Sequence, residues 1–247
     1  MTNASAFDID ERSGTALLGK AAVLIWNDVA EAGRADFYEW HDKEHVPERL
    51  SIPGFRRGRR FARPRHSPEW LTMYEADDLA VLTSAAYLAR LNAPTPATER
   101  TLKHFRNTSR AVCRLVHSLG TSTGGHILAM RLGVASEASD SMCEYLTADA
   151  IPGAMALTGI VACHLYAADE GASYVRTAES RTRTFDVPSW VLLCEATFVE
   201  AAERARRLFD STELRSLGVA VGSDAATYAL EICRESVLRS GDEPGID

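Results

Sequence analysis

Apolar and polar positions along this chain change period several times, and the changes mark out a repeating order of elements. A short apolar run, Ala21-Ala22-Val23-Leu24-Ile25-Trp26, follows a polar opening and is too brief for a helix, so it predicts a first strand. From about Glu31 the spacing turns helical: Phe37, Trp40, His41, Glu44 and His45 fall at i, i+3, i+4, i+7 and i+8 and share one side. Asp36, Asp42 and Lys43 then face water. Pro47 disfavours helical geometry at Val46, which predicts an end or a kink near His45. Pro53-Gly54 marks a turn, and Phe55 to Arg63 with Glu69 to Ala76 reads as a strand hairpin. Leu79 to Leu91 has helical spacing. After a break at Asn92 to Pro96 and a short helical piece through Arg106, Ser109 to Leu119 closes the set as a strand.

The same order then restarts. Gly125 to Leu132 predicts a strand, Glu137 to Ala150 a weak helix, Ala156 to Ala167 and Ser189 to Phe198 two strands, Ala201 to Phe209 a helix and Thr227 to Arg234 a last strand. Ile52-Pro53-Gly54 recurs as Ile151-Pro152-Gly153, an offset of 99 residues. The expectation is an α+β fold of two tandem ferredoxin-like β-α-β-β-α-β units, residues 20–120 and a degenerate second copy at 121–238, with polar tails at 1–19 and 239–247. Ile127 to Leu132 and Trp190 to Thr197 carry apolar residues at odd and even positions, so both sheet faces need cover. Helices cover one face; packing the two sheets together covers the other and predicts a pseudo-symmetric barrel within one chain. Under the 99-residue offset, Trp40, His41 and His45 align with Ser139, Asp140 and Glu144, so the second copy does not repeat the histidines.

Composition narrows the function. At 247 residues, with 46% hydrophobic and 25% charged, the chain can bury one large or two small cores. A net charge of −7 and a pI near 5.6 argue against general nucleic-acid or anionic-membrane binding. Cys113, Cys143, Cys163, Cys194 and Cys233 are odd in number and widely spaced, which reads as buried free thiols in a reducing cytoplasm rather than a disulfide framework or a CxxC site. No leader pattern or membrane-length apolar run is present, so the expected location is cytoplasmic.

His45 is the leading chemical candidate, because a histidine beneath a partly apolar helix can take and return a proton near neutrality. A helix-end histidine that caps carbonyls or packs on the sheet is the plain alternative. His41, Glu44 and His45 spell H-x-x-E-H, an inverzincin-like pattern, but residues 110–136 hold neither Asp nor Glu to complete a zinc site. Arg56, Arg57, Arg59, Arg60, Arg63 and Arg65 alternate faces on a strand and form no continuous stripe; most are expected to be solvated or paired with acids such as Glu44 and Glu48, with Arg60 the one to hold a carboxylate, phenolate or enolate. Phe37, Trp40 and Tyr74 are candidate pocket walls, while Trp26, Trp70 and Trp190 read as core. His66 reads as exposed, and His117, His126 and His164 as strand histidines without a CxxCH haem signature. Asp169 to Asp186 reads as a long polar connection carrying Arg181 and Arg183. No GxGxxG, Walker or GxSxG pattern is present.

Phe37, Tyr38, Trp40, His45, Pro47, Leu50, Pro53, Gly54 and Phe55 together resemble the W…H-x-P…PG pattern of the EthD-like group of the dimeric α+β barrel superfamily. The resemblance covers about twenty residues plus the order of elements. It implies a barrel that relatives usually assemble from two chains, and a superfamily of cofactor-free polyketide cyclases, decarboxylases and dehydratases, oxygenases and haem-binding branches. The expected function is a cofactor-independent lyase or isomerase acting on a small, mainly apolar, aromatic or polyketide-like molecule. His45 is the expected acid/base, His41 or Tyr74 the orienting or relaying group, Trp40 and Phe37 the walls and Arg60 the anion holder. The alternatives are a non-catalytic small-molecule-binding or assembly protein, and a haem- or metal-dependent oxygenase. The expected partner is a small-molecule ligand, with no nucleic acid and no membrane, in a monomer or homodimer.

Overall fold

The structure, a computed structural model, describes residues 15–179, 187–219 and 225–237. Most of the expected N-terminal tail, the C-terminal tail, and Arg181 and Arg183 lie outside the described residues. The elements in chain order are β1 Ala21–Val29, α1 Arg34–Trp40, α2 Val46–Leu50, β2 Phe55–Ala62, β3 Trp70–Ala76, α3 Ala85–Asn92, α4 Pro96–Leu102, β4 Phe105–Leu119, β5 His126–Leu132, α5 Ser139–Tyr145, α6 Ile151–Met155, β6 Ile160–Ala168, α7 Glu170–Ser173, β7 Trp190–Ala196, α8 Val199–Phe209, α9 Thr212–Ser216 and β8 Ala225–Glu235. The long polar connection expected after β6 thus opens with a short helix, α7. Among the described residues no helix is long and apolar enough to cross a membrane.

The chain divides into two compact units. One comprises Leu17–Arg114, Ala168–Ser189 and the chain from Thr227; the other comprises Leu115–Ala167 and Trp190–Ala226 with the chain up to Ala16. The first unit carries an antiparallel sheet in the order β4-β1-β3-β2-β8, whose first four strands have the ferredoxin-like arrangement. Facing one side of that sheet lie Val46, Leu50, Phe55, Tyr74, Leu82, Tyr87 and Leu91 in one cluster, and Phe37, Trp40, Ala62 and Trp70 in another. The second unit carries β5-β7-β6, packed with Met142, Leu146, Ile151, Ala154, Ala201, Ala205 and Phe209 from its helices.

The first helix does not end near His45. Residues 41–45 form a single π-helical turn in which the Val46 N–H donates to the His41 carbonyl, five residues back, and the helix continues through Pro47 as α2. The widened turn re-aims the carbonyl that a proline ring would otherwise strike, so Pro47 sits inside a continuous helix. An equivalent turn at Leu146–Ala150 precedes Pro152, with the Ile151 N–H donating to the Leu146 carbonyl.

The Ile-Pro-Gly offset is also corrected. Ile151-Pro152-Gly153 begins helix α6 and does not precede a strand, whereas Ile52-Pro53-Gly54 leads directly into β2. The local structure instead recurs at 105 residues. The π turns begin at His41 and Leu146, the helices after them at Val46 and Ile151, and the next strands at Phe55 and Ile160. Gly54 and Gly159, immediately before those strands, have φ of 88° and 93°. On this register Leu146 and Ala150 stand where His41 and His45 stand, in place of Asp140 and Glu144. The three matching letters misled because a proline tolerated by a π turn and a proline in a turn look alike in sequence.

Candidate functional site

Both histidines lie within the π turn. A regular helix already stacks positions i and i+4, and the wider turn keeps both inward facing. His41 is 3% exposed and His45 7%, with ring centroids 5.8 Å apart. Phe37 and Trp40 are buried on the same side, while Asp36 and Lys43 are exposed and Asp42 is half-buried. Beneath them the helix-facing side of β1 and β3 supplies Ile25, Asn27, Thr72 and Tyr74. Gly58 on β2 lets Tyr74 lie flat there: a Cβ at Gly58 would come within 3.1 Å of the Tyr74 ring and 3.2 Å of Val46.

Between helix and sheet is a cavity of about 20 Å³, bounded by Phe37, Trp40, His41, His45, Thr72 and Tyr74, with Leu102, Phe105 and Glu179 also at its wall. That volume accommodates about one water-sized molecule. A ligand larger than that enters only if a wall moves. Among the described residues no group of three or more His, Cys, Asp or Glu is set to hold a metal ion. Trp40 also lines a groove of about 420 Å³ on the outer side of α1, with Asp36, Glu39, Lys43, Glu44 and Arg100. Its indole N–H donates to Thr98 Oγ1 at 3.0 Å.

The two histidines have different surroundings. The His45 ring lies 4.2 Å from the Trp40 ring and 6.3 Å from the Tyr74 ring, with Nδ1 4.0 Å from Glu48 Oε2. His41 Nδ1 lies 2.9 Å from Arg60 Nη1, and burial pushes its imidazole down to about 4, so it is neutral at pH 7. The Tyr74 hydroxyl is buried with no hydrogen-bond partner, and burial raises its pKa far above the ordinary phenol value. It is therefore a protonated hydroxyl and not a base.

Arg60 does not line the cavity. Its guanidinium is paired with Asp42 and with Glu231 Oε2 at 2.8 Å, and packs 4.7 Å above the Tyr38 ring. Other arginines of the run are also committed, but not to Glu44 or Glu48. Arg56 pairs with Asp77 at 2.5 Å, and Arg57 and Arg59 both reach Glu75 on the opposite face, at 2.8 and 3.1 Å. Alternation along the strand explains the split. Glu44 instead bonds Thr95, and Glu48 lies 3.5 Å from Arg49.

Sequence reasoning missed Arg49 and Glu179. They form a buried ion pair at 2.5 Å across 130 residues, which puts the Glu179 carboxylate at the cavity edge; no local pattern signals such a pairing. Asn27 and Thr72 belong to no motif in the sequence. Elsewhere, His66 is exposed, Trp26 and Trp190 are core, and His164 is wholly buried with Nδ1 2.9 Å from Ser118 Oγ. Four cysteines are buried and outside any disulfide, but Cys233 is exposed, because β8 turns alternate residues outward.

No family model and no curated protein matches the sequence. Solved structures do match in fold. An anthrone oxidase-like protein matches with a TM-score of 0.60 at 12% identity, covering 92% of this chain and 96% of that one. A monooxygenase-like protein of Fusobacterium nucleatum matches at 0.52 and 11% identity over 89% and 95%, and a chlorite dismutase-like protein at 0.53 and 11% over 87% and 96%. What is shared is an α+β fold built on antiparallel strands. At these identities the likeness speaks to fold alone.

Proposed function

We propose that the protein is a small-molecule acid/base enzyme whose site is the cavity beneath α1. The observation that carries this reading is the convergence of His45, a neutral His41 and an unpartnered Tyr74 hydroxyl on one buried, aromatic-walled space. His45 is the acid/base, taking a proton from a carbon or phenolic acid; His41 and Tyr74 contact the substrate's oxygen. The reaction is of lyase or isomerase type and needs no cofactor, and the substrate is small, mainly apolar and aromatic or polyketide-like. A cavity of about 20 Å³ means that such a substrate displaces a wall, and Trp40, which separates the cavity from the outer groove, is the wall to move. The W…H-x-P…PG pattern supports placement in the EthD-like branch. The 105-residue recurrence supports a tandem duplication of a ferredoxin-like unit, one copy of which has Leu146 and Ala150 in place of the histidines.

The test is hydrogen-to-deuterium exchange at the α-carbon of enolisable ketones in D₂O, followed by NMR over a panel running from acetone through cyclohexanone to anthrone. Wild-type protein is expected to accelerate exchange of at least one member. His45→Ala is expected to lower that rate by ~10² to 10⁴ with an unchanged melting temperature. Equal rates in the two proteins remove His45 from the mechanism and favour a non-catalytic binding protein. A second reading has support in the oxidase-like and monooxygenase-like names of the fold neighbours: the carbanion formed at His45 reacts with dioxygen. Oxygen uptake during turnover separates the two.

A further inference from the structure

Arg60 and His41 make a device that neither residue makes alone. A guanidinium has only N–H donors and no lone pair to offer, so at 2.9 Å from Arg60 Nη1 the His41 Nδ1 must be the acceptor. A ring nitrogen that accepts carries no proton, and a neutral imidazole then has its single N–H at Nε2. Arg60 cannot turn away from this duty. Its Nη1 is shared with Asp42, its Nε donates to Glu231 Oε2 at 2.8 Å, and its plane is stacked on the Tyr38 ring, whose hydroxyl donates to Glu231 Oε1 at 2.9 Å. Asp42 Oδ1 stands 3.9 Å from His41 Nδ1, too far to accept a hydrogen bond from it. Nδ1 being occupied on the Arg60 side, Nε2 is the ring atom left for the cavity that His41 lines.

We infer that Arg60 is a positioning residue that locks His41 as its Nε2–H tautomer, and that His41 donates this hydrogen bond to an oxygen on which negative charge develops. This rests on the acid/base reading above and narrows its substrate class to carbon acids next to a carbonyl, or their phenolic tautomers. Removal of the α-proton by His45 breaks a C–H bond, its electron pair forms the enolate C=C, and the carbonyl π pair moves onto oxygen. A neutral N–H donor serves that oxygen well, since it stabilises the enolate without surrendering its proton as an imidazolium would. Arg60, which sequence reasoning cast as the anion holder, acts through His41 and does not touch substrate.

The tautomer is directly readable from two-bond ¹H–¹⁵N correlations of histidine-labelled protein. Wild type is expected to show His41 as a neutral Nε2–H ring at pH 7, and Arg60→Leu to lose that single tautomer. An Nδ1–H ring or an imidazolium in wild type overturns the inference, whether or not the Arg60 variant folds. In the ketone exchange assay, His41→Leu is expected to lose about 10²-fold, as for a missing oxyanion donor, and His41→Gln to recover part of it through its amide N–H. Wild-type rates in His41→Leu also overturn it. No exchange by wild-type protein overturns the acid/base reading itself, whereas exchange intact with the wrong tautomer overturns this inference alone.

Discussion

His41 and His45 share one turn of helix but have different neighbours. His41 is faced by Arg60 from β2, Glu231 from β8, Asp42 on its own turn and the Phe37, Trp40 and His45 rings. Burial, the largest influence, holds it neutral down to about 4, with the Arg60 charge acting in the same direction. An unfolded histidine takes a proton near ~6.5, so between that value and about 4 the unfolded chain binds a proton that the folded chain refuses. The stability tied to His41 is thus complete above pH ~6.5 and is lost as pH falls through this window, on the order of 3 kcal/mol in all. Urea denaturation at pH 7, 5.5 and 4.5 is expected to show this slope in wild type and a shallower one in His41→Gln. Both histidines, with Phe37 and Trp40, were legible as one helical face. The fate of Arg60 was not, since its partners Asp42 and Glu231 are 18 and 171 residues away and only the fold assembles them.

At the scale of elements, the π turn decides what the helix presents. Pro47 reads in sequence as an end or a kink, and the structure carries the helix past it by widening residues 41–45. Deleting the exposed Lys43 is expected to return the run to regular α-helix, set a carbonyl against the Pro47 ring and cost about 3 kcal/mol. Adding Pro47→Ala to the deletion is expected to recover most of that loss, measured by the urea midpoint. If the deletion alone is neutral, the wide turn is not what accommodates Pro47. Strands were the easiest elements to read: β1, β3 and β7 fall within a few residues of the apolar runs that predict them, and β2 follows the Pro53-Gly54 turn that predicts it. The strand expected from Ala156 starts only at Ile160, because the run Ile151 to Met155 that leads into it is helical.

Across the whole chain, the recurring order of elements was legible but the 105-residue spacing at which the local structure recurs was not. The order strand, helix, strand, strand follows from local periodicity, whereas the 105-residue offset rests on backbone features, above all the left-handed glycines before β2 and β6. A Cβ at Gly54 would come within 2.5 Å of Val81, and one at Gly159 within 2.6 Å of Phe198. Gly54→Ala and Gly159→Ala are each expected to lose at least ~1 kcal/mol. Gly153 lies inside α6, where an added methyl meets only Leu208 at 3.6 Å, so Gly153→Ala is expected to be neutral or to gain up to ~1 kcal/mol. Thermal unfolding of the three variants therefore separates the 105-residue register from the 99-residue one, under which Gly54 and Gly153 would behave alike.

The measurement that tests the central claim most directly is a titration of ¹⁵N-histidine-labelled protein with cyclohexanone, followed in the imidazole region. If the cavity beneath α1 is the site, His41 and His45 shift together and saturably, while the exposed His66 and the Ser118-bound His164 stay in place. Shifts confined to His117, His126 or His164, or none at saturation, contradict the account.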